Sequence, residues 1–289
     1  MATATTRTPM TITTIRTTMA IPRTAIRTTM ARPAAAGTTT AMAITTTGMS
    51  TRAVTSTITV TPTAMAEAGF LPLLCWLSPS FPVGAYAYSH GLEWAVEAGD
   101  LRDEASLERW LSDILHHGFG RNDAILLCAA YRAAAAGSRA ELGAANELAL
   151  AMAGSAEFRL ETAQQGRSFL DAVGAAWPHE RLGPFAGELD EVALPVALGL
   201  ASACHCIDLA VTAKAYLTAL AQNLVSAAIR LAPIGQTSGQ RVLARLVPAL
   251  SALADETLTL GLDDVGSATF RADLGSFRHE TQYTRLFRS

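Results

Sequence analysis

The chain has 289 residues, half of them apolar, and a formal net charge of −3. That near-neutral total averages two unlike parts: residues 1–64 hold 24 Thr, six Arg and no acid, leaving 16 basic against 25 acidic residues in 65–289, a net charge of −9. An acidic body lacks the basic surface that phosphate backbones require and so argues against nucleic-acid binding, and no apolar run approaches the roughly 20 residues of a membrane-spanning helix.

Residues 1–64 cannot bury a core, because Thr is a poor helix former and the large apolar residues are few and aperiodic. Three readings fit this Thr/Ala/Arg-rich extension. A transit peptide is arginine-containing and acid-poor, but here no amphipathic helical period is sustained. A disordered arm is the second. The third, which is favoured, is an artefact of the start site. Thr-Met-Thr-Thr repeats are what a His/Asp-rich coding run yields one base out of frame, so the natural chain would begin at Met65.

From Met65 onward the dominant period is helical. Phe70–Glu93 comes first, FLPLLCWLSPSFPVGAYAYSHGLE. Its prolines preset a turn and Gly84 permits close backbone approach, so it reads as an aromatic-lined loop entering a helix, either plain core or a contact surface. Asp103–His117 places Leu107, Trp110, Leu111, Ile114 and Leu115 on one face. Asp103 and Glu104 suit its N-terminal end, His116 and His117 its C-terminal end, and Gly118 a left-handed cap. Further helices are expected over about 122–136, 139–153, 156–174, 190–206 and 207–231. Thr237 and Gln240 have the spacing of a capping box. The helix they open carries Leu243, Leu246, Val247, Leu250 and Leu253 on one face, with a kink at Pro248. Loops are expected at Ser78–Gly84, Trp177–Gly187 and Leu231–Gly235. No alternating strand pattern appears after Met65. The expected fold is all-α, a single domain of roughly nine or ten helices over 65–289.

Candidate chemistry is sparse. There is no phosphate-cradling glycine loop, nucleophile elbow, His-Glu-x-x-His or dinucleotide fingerprint. Cys75, Cys128, Cys204 and Cys206 lie among apolar neighbours and read as reduced, buried thiols of a cytoplasmic protein. Cys204, His205 and Cys206 form the most tempting metal constellation. On a helix, however, residues two apart point about 200° apart, which favours core packing over ligation. His90 and Glu93, at i and i+3, are a second weak candidate for a cation, or a hydrogen-bonded pair that orients a helix. The terminal RHETQYTRLFRS combines arginines with aromatics, the types that anchor interfaces, where a chain end would otherwise fray.

Three segments, WLSPSFPVGAYAYSHGLE (76–93), NLVSAAIRLAPIGQTSGQR (223–241) and RHETQYTRLFRS (278–289), resemble the signature segments of the urease accessory protein family UreF, in the family's order. The resemblance covers about 70–289. It implies an all-α homodimer that is not an enzyme and binds no cofactor tightly. It implies a cytoplasmic complex with the accessory protein UreD (also called UreH) and the GTPase UreG, without nucleic acid or membrane. That complex inserts nickel into apo-urease at the cost of GTP hydrolysed by UreG. By motif match, Arg278, His279, Glu280, Gln282, Tyr283, Arg285 and Phe287, within a tail of about 273–289, would order against UreD. Arg230, Gln236 and Gln240 would serve a dimer or GTPase contact. The alternative is a helical metallochaperone that carries nickel itself, with His90, Glu93, Cys204, His205 and Cys206 as candidate ligands.

Overall fold

The computed structural model describes residues 41–45, 55–59, 70–231 and 234–289. Its contacts fall into two units, Met1–Thr61 and Pro62–Ser289. In the first, β1 (Ala41–Thr45) and β2 (Thr55–Thr59) pair antiparallel, Ala41 opposite Thr59 and Thr45 opposite Thr55. The remainder of the extension, and with it the proposed start at Met65, lies outside the described residues.

The second unit is all-α. Residues 70–76 form the described part of α1. Ten helices follow: α2 (Leu92–Glu97), α3 (Glu104–His116), α4 (Phe119–Ala136), α5 (Arg139–Ala151), α6 (Ala156–Ala176), α7 (Leu182–Ala186), α8 (Leu194–Cys204), α9 (Leu209–Leu231), α10 (Gln236–Thr257) and α11 (Phe270–His279). None of these is long and apolar enough to cross a membrane.

The core is organised around α8. Every residue from Pro195 to Cys204 is buried, and a helix apolar on all sides must be enclosed by others. Here α4 and α6 cover it most extensively. Beneath it Trp76 meets Phe169 and Trp177 edge-on at 5.8 and 6.1 Å between ring centroids, a favoured aromatic geometry. The amphipathic α3 buries Leu107, Leu111, Ile114 and Leu115 as its period dictates. Its N-terminus is closed by Asp103, whose carboxylate accepts from the Ser106 backbone N–H at 2.8 Å. Outside, Arg241 and Arg245 of α10 grip Glu104 of α3 and hold its carboxyl down at about 2, Arg241 contributing most.

Several sequence expectations are corrected. Gly118 is not a left-handed cap: its φ is −133°, and it instead precedes α4, which starts three residues earlier than expected. The Thr237/Gln240 capping box does not form, because α10 already begins at Gln236 behind Gly235, placing Thr237 inside the first turn. The helix then runs through Pro248. The expected Trp177–Gly187 loop contains the short α7, which buries Leu182 and Phe185. Cys128 and Cys204 are buried, but Cys75 and Cys206 are exposed, the latter beyond the end of α8. The segment expected as a tail from about 273 is helical up to His279.

Candidate functional site

The three sequence segments that lie far apart along the chain meet in space. The centre of the meeting is Glu93, near the start of α2 and almost fully buried. A buried carboxylate is tolerated only when hydrogen-bond donors surround it. Here the donors come from the C-terminal segment. The backbone N–H of Leu286 donates to one Glu93 oxygen at 2.6 Å and that of Phe287 to the other at 2.9 Å. His279 Nε2 lies 3.3 Å from the second oxygen, while its Nδ1 lies 2.6 Å from Glu157 of α6. Arg285 adds an ion pair to the other Glu157 oxygen at 2.7 Å.

Backbone pairing extends the seam. The Arg288 N–H donates to the Ala87 carbonyl at 2.9 Å and the Ser89 N–H to the Ser289 backbone oxygen at 2.9 Å. The Ser289 hydroxyl donates to Glu161, four residues along α6 from Glu157. Glu280 accepts from the Ala156 N–H at 3.0 Å, supplying an acid at the N-terminal end of α6, where the helix dipole favours it. Gln282 reaches Glu97 of α2. Close packing of α11 on α2 requires Gly275, where a Cβ would come within 2.9 Å of the Trp94 ring.

The seven tail residues singled out in the sequence therefore divide. His279 and Phe287 are buried, at 0 and 5 % exposure, and Glu280, Gln282 and Arg285 bind the body. Arg278 and Tyr283 face outward. Along the outer side of this segment Phe270, Leu274 and Phe277, at i, i+4 and i+7 on α11, leave an apolar row exposed, continued by Tyr283 and Leu286. Arg230, at the end of α9, turns inward onto Tyr86 and Phe287, with its guanidinium carbon 4.0 and 4.3 Å from the two ring centroids. Gln236 and Gln240 are exposed on the first turns of α10.

His90 and Glu93 do not share a helix or face a common cation. His90 precedes α2 in a left-handed conformation (φ 54°), followed by Gly91 at 77°, so the chain turns sharply between them. Its ring is stacked on Phe158 at 3.9 Å and lies against Phe119, with Nδ1 3.4 Å from Glu161. His90 and Glu161 line a cavity together with Trp76, Tyr88, Tyr216 and Arg230. Next to it, Asp123 accepts from the Tyr216 hydroxyl at 2.6 Å. Burial pushes the Asp123 carboxyl up to about 6, against the lowering effect of that bond.

Cys204, His205 and Cys206 are also separated. Cys204 ends α8 in the core, where burial raises its thiol pKa, and Cys206 turns out to solvent at a φ of 54°. His205 between them meets Trp76 edge-on, and burial, then neighbouring His179, lowers its pKa. Among the described residues no three His, Cys, Asp or Glu side chains are grouped closely enough to hold a metal ion.

Ser89, Glu157 and Glu161 are seam residues that sequence reasoning missed. Glu157 and Glu161 sit one turn apart on α6, a repeat common on any solvated helix. Their partners lie more than 100 residues away, so no local signal marks them.

A family model for UreF matches residues 101–247. The urease accessory protein UreF of Xanthobacter autotrophicus is 66 % identical over 227 residues, covering 78 % of this chain and 93 % of that protein. The corresponding proteins of Azorhizobium caulinodans and Methylobacterium sp. are 62 and 60 % identical over 230 and 220 residues, covering 78 and 76 % of this chain and 99 and 88 % of their own lengths. The family model spans the helices from α3 into α10, and the relatives cover more than three quarters of this chain at 60 % identity or more; on these grounds the chain belongs to the UreF family of urease accessory proteins.

Proposed function

We propose that the chain is a non-catalytic adaptor in urease maturation, and that the docked C-terminal segment is its surface for the UreD/UreH accessory protein. The carrying observation is the division of that segment. Its inner side is tied to α2 and α6 by Glu93, Glu157 and Glu161, while Phe270, Leu274, Phe277, Tyr283 and Leu286 stand exposed on its outer side. An apolar row with aromatics and arginines at its edge has the composition of an interface centre. A segment already held by buried hydrogen bonds gives up less entropy on binding than a free one.

In this reading the chain joins UreD to the UreG GTPase as a homodimer in the cytoplasm. UreG supplies GTP hydrolysis for nickel insertion into apo-urease. Gln236 and Gln240, exposed at the start of α10, are the candidates for the dimer or GTPase contact. No cofactor is held by this chain, and nickel is cargo of the complex.

The test is co-purification with a UreD-type partner. Replacing outward Tyr283 and Leu286 together by Asp should abolish capture while helical circular dichroism stays unchanged. Deleting 278–289 should do the same. Full capture by a folded Tyr283→Asp/Leu286→Asp chain would overturn the assignment of this surface.

A further inference from the structure

From α9, Arg230 touches both the aromatic loop and the C-terminal segment. Its guanidinium lies between the Tyr86 and Phe287 rings, Nη1 donates to the Tyr86 carbonyl at 2.9 Å, and Nε donates back to Ser226 of its own helix at 3.3 Å. A planar guanidinium can offer its faces to two rings while its edge donates to two carbonyls; a lysine ammonium cannot do both. The end of α9 that carries it is closely packed. At Gly239 of α10 a Cβ would come within 2.6 Å of Ile229 and 2.9 Å of Val225, so the last turns of α9 are wedged against α10.

We propose that Arg230 is a positioning residue for the partner-binding segment rather than a contact residue. By fixing the Phe287 ring it places the Leu286 and Phe287 amides on Glu93, and this directs Leu286 to the outside. The same guanidinium fixes the ring of Tyr86, a residue otherwise largely exposed. The position of the segment is thereby referenced to the α9–α10 pair. The inference rests on the reading of the segment as a partner surface only for its effect on binding.

The experiment uses the full chain and reads amide hydrogen exchange at 286–288, thermal midpoint, and affinity for a purified UreD-type partner. Arg230→Gln should speed exchange at these three amides about tenfold and weaken the partner by a similar factor, with the melting of the helical body unmoved. Arg230→Lys, which keeps the charge, should restore part of both. Phe287→Leu should speed the same amides, and combining it with Arg230→Gln should add nothing further. Unchanged exchange in Arg230→Gln, or full additivity with Phe287→Leu, overturns the proposal. Faster exchange with undiminished partner affinity supports the positioning role and instead overturns the partner surface.

Discussion

Helix α8 and the inner side of the C-terminal segment both pack into the same body, yet they are held by different physics. α8 is enclosed on all sides by apolar side chains, a non-directional attraction proportional to area. The segment from His279 to Ser289 is held by a few directed bonds to Glu93, Glu157 and Glu161, with Phe287 as its buried apolar anchor. The first kind of burial resists change everywhere and specifies little. The second fails if one acceptor is lost, but it fixes which face of the segment points outward. An adaptor surface needs the second property.

The contrast can be broken from either side. The largest effect is expected in the core: Leu200→Ala, at a fully buried site, should cost about 2–5 kcal/mol and lower the midpoint of global unfolding. A loss under about 1 kcal/mol in denaturant titration would mean that α8 is not the organising element. Next is Glu93→Ala, which strands the Leu286 and Phe287 amides and one side of His279. Breaking a buried charged set costs about 3–5 kcal/mol if nothing relaxes. Here the segment can leave, so we expect fast amide exchange confined to 279–289 and a smaller change in global unfolding. Exchange spread evenly through α4 and α8 would show that seam and core are one cooperative unit.

The smallest effect is pH-dependent. The Asp123 carboxyl is raised to about 6 by burial, above its ordinary 3.8, so its contribution to stability is present below pH 3.8 and lost as pH rises through 6. Asp123→Asn keeps an acceptor for Tyr216 without the charge. It should therefore be more stable than the parent by up to about 3 kcal/mol above pH 6, with the difference vanishing near pH 4. A difference independent of pH between 4 and 7 would remove the buried charge as its cause.

Legibility followed the same divide. The α3 face and the Asp103 cap were readable because both are local patterns, a 3.6-residue period and a carboxylate three residues from its donor. The short α7 was not, since one or two turns give no period to detect, and α2 was legible only as a helix entered from the aromatic loop. The tail residues were noticed for their composition, but not that His279 and Phe287 would be inside and Tyr283 outside. Cys204 packs in the core as expected but Cys206 does not, for a related reason: the helix ends between them, and the left-handed Cys206 turns its thiol out.

By itself, then, the sequence determined the helical class, an acidic body set apart from its Thr-rich extension, and the three segments that resemble UreF. Periodicity and composition are properties of neighbours along the chain. Only the tertiary structure decided that Glu93 would receive amides 193 and 194 residues away, and that Arg230 would lie between Tyr86 and Phe287. A buried carboxylate and a guanidinium each require partners, but their side-chain chemistry does not say which of many remote groups will arrive. That choice is made by the packing of α2, α6, α9 and α11, which brings one set of donors and rings within reach and excludes the rest.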